Sequence, residues 1–189
     1  MPLFDHFGII APFYDRAIPY GRAEQLTSLL CLPITGRLLD AGGGTGRVAD
    51  AFRGLISQIV VADVSRGMLG QARRKSGLGL VCSIVEHLPF KNDCFERVIM
   101  IDAFHHVINQ AETAGELYRV LKPGGILVVI EPDVRKLPVK IIALFEKILL
   151  MRSHFLNADR VAGLFSGSDA VLHVENEGYE FRIVIEKPV

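Results

Sequence analysis

Leu38-Leu39-Asp40-Ala41-Gly42-Gly43-Gly44-Thr45-Gly46 decides the architecture of this chain. An apolar run from about Arg37 to Ala41 predicts a buried strand, and the glycines that follow predict a tight loop. Arg47 to Arg53 then reads as a helix. A glycine loop between strand and helix lets the backbone approach a ligand closely, because no Cβ intervenes. The helix start behind it would offer unpaired N–H groups. In an open α/β sheet such a loop lies at the carboxyl ends of the strands, where ligands bind.

Working outward, Ile59 to Ala62 predicts a second strand, ended by Asp63. A carboxylate there can accept both hydroxyl hydrogens of a ribose. A dinucleotide loop of the GxGxxG type requires a small residue where Arg47 stands. No Gly-Lys-Ser/Thr follows, so a Walker A loop is excluded. Asp40 beside the loop repels a pyrophosphate but suits a ligand carrying an ammonium and a sulfonium. The chemistry therefore favours S-adenosylmethionine over a nicotinamide cofactor.

The rest of the chain alternates strand and helix, which implies a doubly wound, mostly parallel α/β sheet. Ser65 is the expected N-cap of a helix carrying Met68, Leu69 and Ala72. Strands are expected at about Leu78 to Ile84, Val98 to Ile101 and Ile126 to Ile130. A helix from Ala111 to Leu121 should stop at Lys122-Pro123-Gly124-Gly125. Strands near Ala170 to Val174 and Phe181 to Glu186, with a turn at Glu177-Gly178, would add a C-terminal antiparallel hairpin to a seven-stranded Rossmann-like sheet. One domain is expected over residues 1–189. Residues 1–35 would be a helical cap, with a helix near Tyr20 to Leu30 ended by Pro33. Residues 36–132 would form the cofactor core, and 133–189 the acceptor-side helices and closing strands.

Composition narrows the class. Half of the 189 residues are hydrophobic, and 21 basic residues balance 21 acidic ones. A neutral chain argues against a nucleic-acid partner. Cys31, Cys82 and Cys94 are too dispersed for zinc or a redox pair and read as buried apolar residues. No metal site is expected. No basic n-region precedes an apolar stretch, and Leu137 to Met151 is too short and too charged to span a bilayer. The expectation is a cytoplasmic protein without stable membrane insertion.

Four segments carry a family resemblance: LLDAGGGTG (38–46), VVADVSRGML (60–69), EHLPFKNDCFERVIMIDAFHHV (86–107) and ELYRVLKPGGILVVIEP (116–132). Together they resemble the class I S-adenosylmethionine-dependent methyltransferases, in particular the group that includes the ubiquinone/menaquinone-type enzymes. The resemblance implies methyl transfer from S-adenosylmethionine, with S-adenosylhomocysteine as product, to a small-molecule acceptor. It implies that Asp40, Ala41, Gly42 and Gly44 line the methionine end and that Asp63 binds the ribose. Val64 and Met68 would pack on the adenine, and Val85, Glu86 and His87 would border its edge. Asp102 and Ala103 would present backbone to the methionyl ammonium. One departure stands out. Ile84 occupies the position where the family often has an Asp for the adenine amino group, which must then use backbone, another side chain or water.

His105 and His106 follow the fourth strand at the expected acceptor mouth and are the candidate general bases. The competing reading is that one packs and the other contacts the cofactor loop. Glu131 ends the fifth strand facing the same crevice, either to orient an acceptor or as a solvated strand end. The segment around Tyr14-Asp15 resembles the part of these enzymes that folds over the cofactor. The apolar helix from Val139 to Met151 is read as sheet-packing core, as the roof of a lipophilic acceptor pocket, or as a homodimer or membrane-surface face. A non-catalytic binding module is the alternative to an enzyme.

Overall fold

The computed structural model describes residues 6–17, 21–148, 153–167 and 169–189. Seven strands form one sheet: β1 (Ile34–Ala41), β2 (Ile56–Asp63), β3 (Leu78–Cys82), β4 (Phe95–Ile101), β5 (Leu121–Pro132), β6 (Val171–Glu177) and β7 (Glu180–Glu186). Their order is β3-β2-β1-β4-β5-β7-β6. The first five are parallel, and β7 pairs antiparallel with both β5 and β6. The expected mostly parallel sheet with a C-terminal hairpin is the observed one.

The centre of the sheet is buried on both faces because its central strands are apolar at consecutive positions. Side chains alternate between faces with a period of two. Leu39, Val98, Met100, Leu127 and Val129 share one core with α4 (Gln110–Val120) and α6 (Ala158–Gly163). Leu38, Ile99, Val128 and Ile130 share the other with α2 (Ala23–Leu29) and α3 (Arg66–Ala72). Two more helices, α1 (His6–Ala17) and α5 (Leu137–Ile148), complete the set.

Helix ends follow their caps. Ser65 Oγ accepts from Met68 N at 3.2 Å, and Asn109 Oδ1 accepts from Glu112 N at 3.2 Å, each satisfying an orphan N–H of the first turn. The helix predicted at Arg47 to Arg53 is instead a 3₁₀ turn, Ala49–Phe52. It is confined between Gly46 and Gly54, both at positive φ (+69° and +82°). With three residues per turn, Ala49 and Phe52 eclipse, and both are fully buried on one face.

Three further expectations are corrected. The third strand stops at Cys82, and residues 83–84 belong to the loop. The chain enters β5 at Leu121, directly after α4, so Lys122 to Gly125 lie within the strand. The β4–β5 register breaks there, and Gly124 turns at φ +72°. The cysteines are not buried: Cys31 and Cys82 are exposed and Cys94 is half-buried, because each lies at an element edge or in a loop. Tyr20 and residues 149–151 of the predicted helices lie outside the described residues.

Candidate active site

The strand order reverses between β1 and β4, so their carboxyl ends open a crevice at the sheet's switch point. Gly42 and Gly44 cross it at φ +70° and +55°, a region L residues rarely adopt. A Cβ on Gly42 would lie 2.8 Å from Ala103 Cβ, and one on Gly43 would lie 2.4 Å from Asp40 Cγ. Only bare backbone lets the loop sit this low. A Cβ on Gly44 would project between Met68 Sδ and Asp63 Oδ2, at 3.8 and 3.9 Å. Gly44, Met68 and Asp63 therefore bound one small space.

Asp40 lies beneath the loop, and among the described residues its buried Oδ2 finds no hydrogen-bond partner. Burial raises its pKa to about 7 against the opposing pull of Arg47. Asp63 accepts from Gly44 N at 2.8 Å through one oxygen and from Ser65 N at 2.7 Å through the other. Its carboxylate thus ties the loop to the start of α3. Asp102 takes a positive φ of +53° immediately after β4, and Arg47 pairs with its carboxylate at 3.1 Å. Burial and then Glu131 push the Asp102 carboxyl above the usual range. Three carboxyl groups thus cluster with one guanidinium, a set suited to a ligand richer in positive than in negative charge.

Beyond Asp102 the chain turns at Phe104–His106, and Glu131 holds that turn. Glu131 Oε1 accepts from Ala103 N at 2.8 Å and Phe104 N at 2.7 Å, while Oε2 lies 2.5 Å from His105 Nδ1. An ionised carboxylate only accepts, so His105 Nδ1 carries the hydrogen. The His105 ring stacks on Phe155 at 4.3 Å and meets His106 at 4.0 Å. His106 Nδ1 lies 3.2 Å from Ser153 Oγ, with Phe7 edge-on at 4.9 Å. Burial, reinforced by His105, lowers the His106 pKa to about 3.

Helix α1 closes over this crevice. Gly8 seats against Gly67, where a Cβ would come 2.5 Å from the Gly8 Cα. Tyr14 lies under the Arg47 guanidinium, 5.8 Å from its ring centre. Asp15 accepts from the Thr45 hydroxyl and from Lys75 Nζ, the latter at 2.6 Å.

The predicted residues separate into two sets. Asp40, Ala41, Gly42, Gly44, Asp63, Met68, Asp102 and Ala103 converge on the crevice, and Val64 stands exposed at its rim. Glu86 turns away: its Oε1 accepts from Ile108 N at 2.8 Å and Asn109 N at 3.3 Å, holding the entry to α4. Val85 is buried in the core beside it, and His87 is exposed. Arg47 and the Glu131–His105 pair were not assigned these roles from sequence. The parallel register Ile101↔Ile130 sets Asp102 opposite Glu131, a pairing that the sequence does not display. Among the described residues no group of three His, Cys, Asp or Glu side chains could hold a metal, and no helix is long and apolar enough to cross a membrane.

Residues 39–129 match a family described as "Methyltransferase domain". The chain is 32% identical over 105 residues to a ubiquinone/menaquinone biosynthesis C-methyltransferase of Coxiella burnetii, covering 50% of this chain and 42% of that protein. It is 33% identical over 137 residues to a demethylmenaquinone methyltransferase of Clavibacter sepedonicus, covering 66% and 56%. The matched region spans about half the length of these relatives. The fold superposes on an S-adenosylmethionine-dependent methyltransferase of Thermotoga maritima with a TM-score of 0.76 at 23% identity, covering 96% and 97% of the two chains.

Proposed function

We propose that this chain is a class I S-adenosylmethionine-dependent methyltransferase, as the match of residues 39–129 to the methyltransferase domain supports, and that it transfers a methyl group from S-adenosylmethionine to a small-molecule acceptor. The observation that carries this reading is the buried, unpartnered Asp40 Oδ2 beneath a side-chain-free glycine loop. A buried carboxylate oxygen left without a hydrogen-bond partner is costly, and a cation above the loop removes the cost.

The residues present fit the cofactor. Gly42 and Gly44 give its methionine end access to the backbone, and Asp40 supplies the compensating charge. Arg47, which pairs with Asp102, would be the counter-charge for the one carboxylate such a ligand carries. Asp63 retains acceptor capacity for ribose hydroxyls beyond its two backbone bonds. Val64 and Met68 line the adenine side. With Ile84 at the edge, the adenine amino group would be bound by backbone, another side chain or water. Bound there, S-adenosylmethionine supplies a methyl group already activated on sulfur, so the protein needs no covalent nucleophile.

The remaining work is positioning, exclusion of water and removal of a proton. Helix α1 and the 153–155 segment roof the crevice. His105, oriented by Glu131 through Nδ1, is the base for an acceptor that must lose a proton, and Glu131 stabilises the imidazolium that results. His106, with its pKa near 3, is neutral at physiological pH and serves as wall. The names of the Coxiella and Clavibacter relatives support an aromatic, lipophilic acceptor.

Calorimetric titration with S-adenosylmethionine, and separately with NADH, tests the premise. Micromolar binding of the former alone is expected. Turnover is then sought with a panel of hydroxylated aromatic acceptors. A folded protein that binds neither ligand defeats the reading.

A further inference from the structure

Helix α5 follows β5 in the chain, and beyond it Ser153 and Phe155 touch His106 and His105. It buries Val139 but exposes Leu137, Ile141 and Leu144, at 70%, 48% and 58%. Their spacing of four and three residues makes one continuous stripe along the helix. A stripe that apolar is not expected to face water without a partner.

Charge identifies the partner. The whole chain is neutral, yet residues 136–152 hold four basic side chains and one acidic one. Lys136 and Lys140 are exposed one position before Leu137 and Ile141, so they form a cationic row beside the apolar stripe. An exposed apolar stripe edged by lysines is the arrangement by which a helix lies in the headgroup region of an anionic bilayer. A second copy of this chain would set lysine row near lysine row across a two-fold axis, which opposes pairing.

We propose that α5 docks the protein on anionic lipid surfaces, with Leu137, Ile141 and Leu144 in the headgroup–acyl boundary and Lys136 and Lys140 on lipid phosphates. The surface stands on its own geometry. Only the delivery of a lipophilic acceptor from the bilayer rests on the methyl-transfer reading.

The full chain is sedimented with vesicles of phosphatidylcholine alone or mixed with phosphatidylglycerol. Binding is expected on the mixed vesicles, weakening with salt. The double variant Lys136→Gln/Lys140→Gln should bind about thirtyfold more weakly, at roughly 1 kcal/mol per lysine. The chain has no Trp, so Leu144→Trp gives a single reporter whose emission should shift to the blue on the mixed vesicles. Folded protein that ignores both vesicles, or binds them equally, overturns the proposal. So does a dimer in solution that Leu144→Ser dissociates. Cofactor titration of the same samples keeps the two readings separate: a chain that binds S-adenosylmethionine but no vesicle loses only the docking surface.

Discussion

The Glu131 carboxylate lies 2.5 Å from His105 Nδ1 and, through its other oxygen, caps the amides of Ala103 and Phe104. One buried acid therefore shapes the turn after β4 and orients the His105 imidazole. The proton balance matters: with Nδ1–H donated to Glu131, the basic lone pair of His105 is on Nε2. Glu131→Gln keeps an acceptor for the backbone amides but removes the charge. Turnover should fall on the order of a hundredfold. The acid limb of the pH–rate profile should move down, since an imidazolium without its carboxylate is a stronger acid. Imidazole ¹⁵N shifts should lose their single-tautomer signature. An unchanged profile and unchanged shifts would confine Glu131 to a structural role.

Asp40 makes the cofactor-free protein pH-sensitive. Its folded pKa of about 7 stands above the ordinary 3.8 because of burial. Between those values the folded chain holds a proton that the unfolded chain has released. Stability should therefore fall as pH rises through that window, by up to about 4 kcal/mol. Asp40→Asn should flatten the slope in chemical denaturation. A cationic ligand favours the ionised form, so cofactor binding just below pH 7 should release a proton, visible in calorimetry as a dependence on buffer ionisation enthalpy. Equal slopes in both proteins would argue against this.

Asp63→Ala removes the acceptor for Gly44 N and Ser65 N as well as the expected ribose contact. S-adenosylmethionine affinity should drop at least about tenfold, with a loss of about 1–3 kcal/mol in stability. Normal affinity in this variant would remove Asp63 from the site.

Glu86→Ala should separate stability from binding. The Glu86 carboxylate serves Ile108 N and Asn109 N, so its loss should lower stability by about 1–3 kcal/mol. Cofactor affinity, measured by the same titration, should change less than about threefold. A large affinity loss at unaltered stability would restore Glu86 to the adenine edge.

Gly67→Val places a side chain where Gly8 sits, with the Cβ 2.5 Å from the Gly8 Cα. Helix α1 should detach while the sheet stays folded. Limited proteolysis should then cleave near residues 17–21 much faster than in the parent chain. Cleavage at the parental rate would mean that α1 is held elsewhere.

What the sequence determined by itself is what local chemistry dictates. Consecutive apolar residues at 38–39 and 98–101 specify strands buried on both faces, the glycines at 42–46 specify the loop, and Ser65 specifies the start of α3. These readings depend on neighbours in the chain, so a single sequence displays them. Glu86 shows the limit. It lies in a segment that resembles an adenine-binding loop, yet its carboxylate satisfies amides that only the α4 entry brings near. Arg47 with Asp102, Glu131 with His105 and the exposed face of α5 are likewise products of the folded arrangement. Register between parallel strands, and the packing of helices on them, decided which buried charges met and which apolar faces were left uncovered. Periodicity says that a side chain is inside or outside, but the partner it finds there comes from another part of the chain.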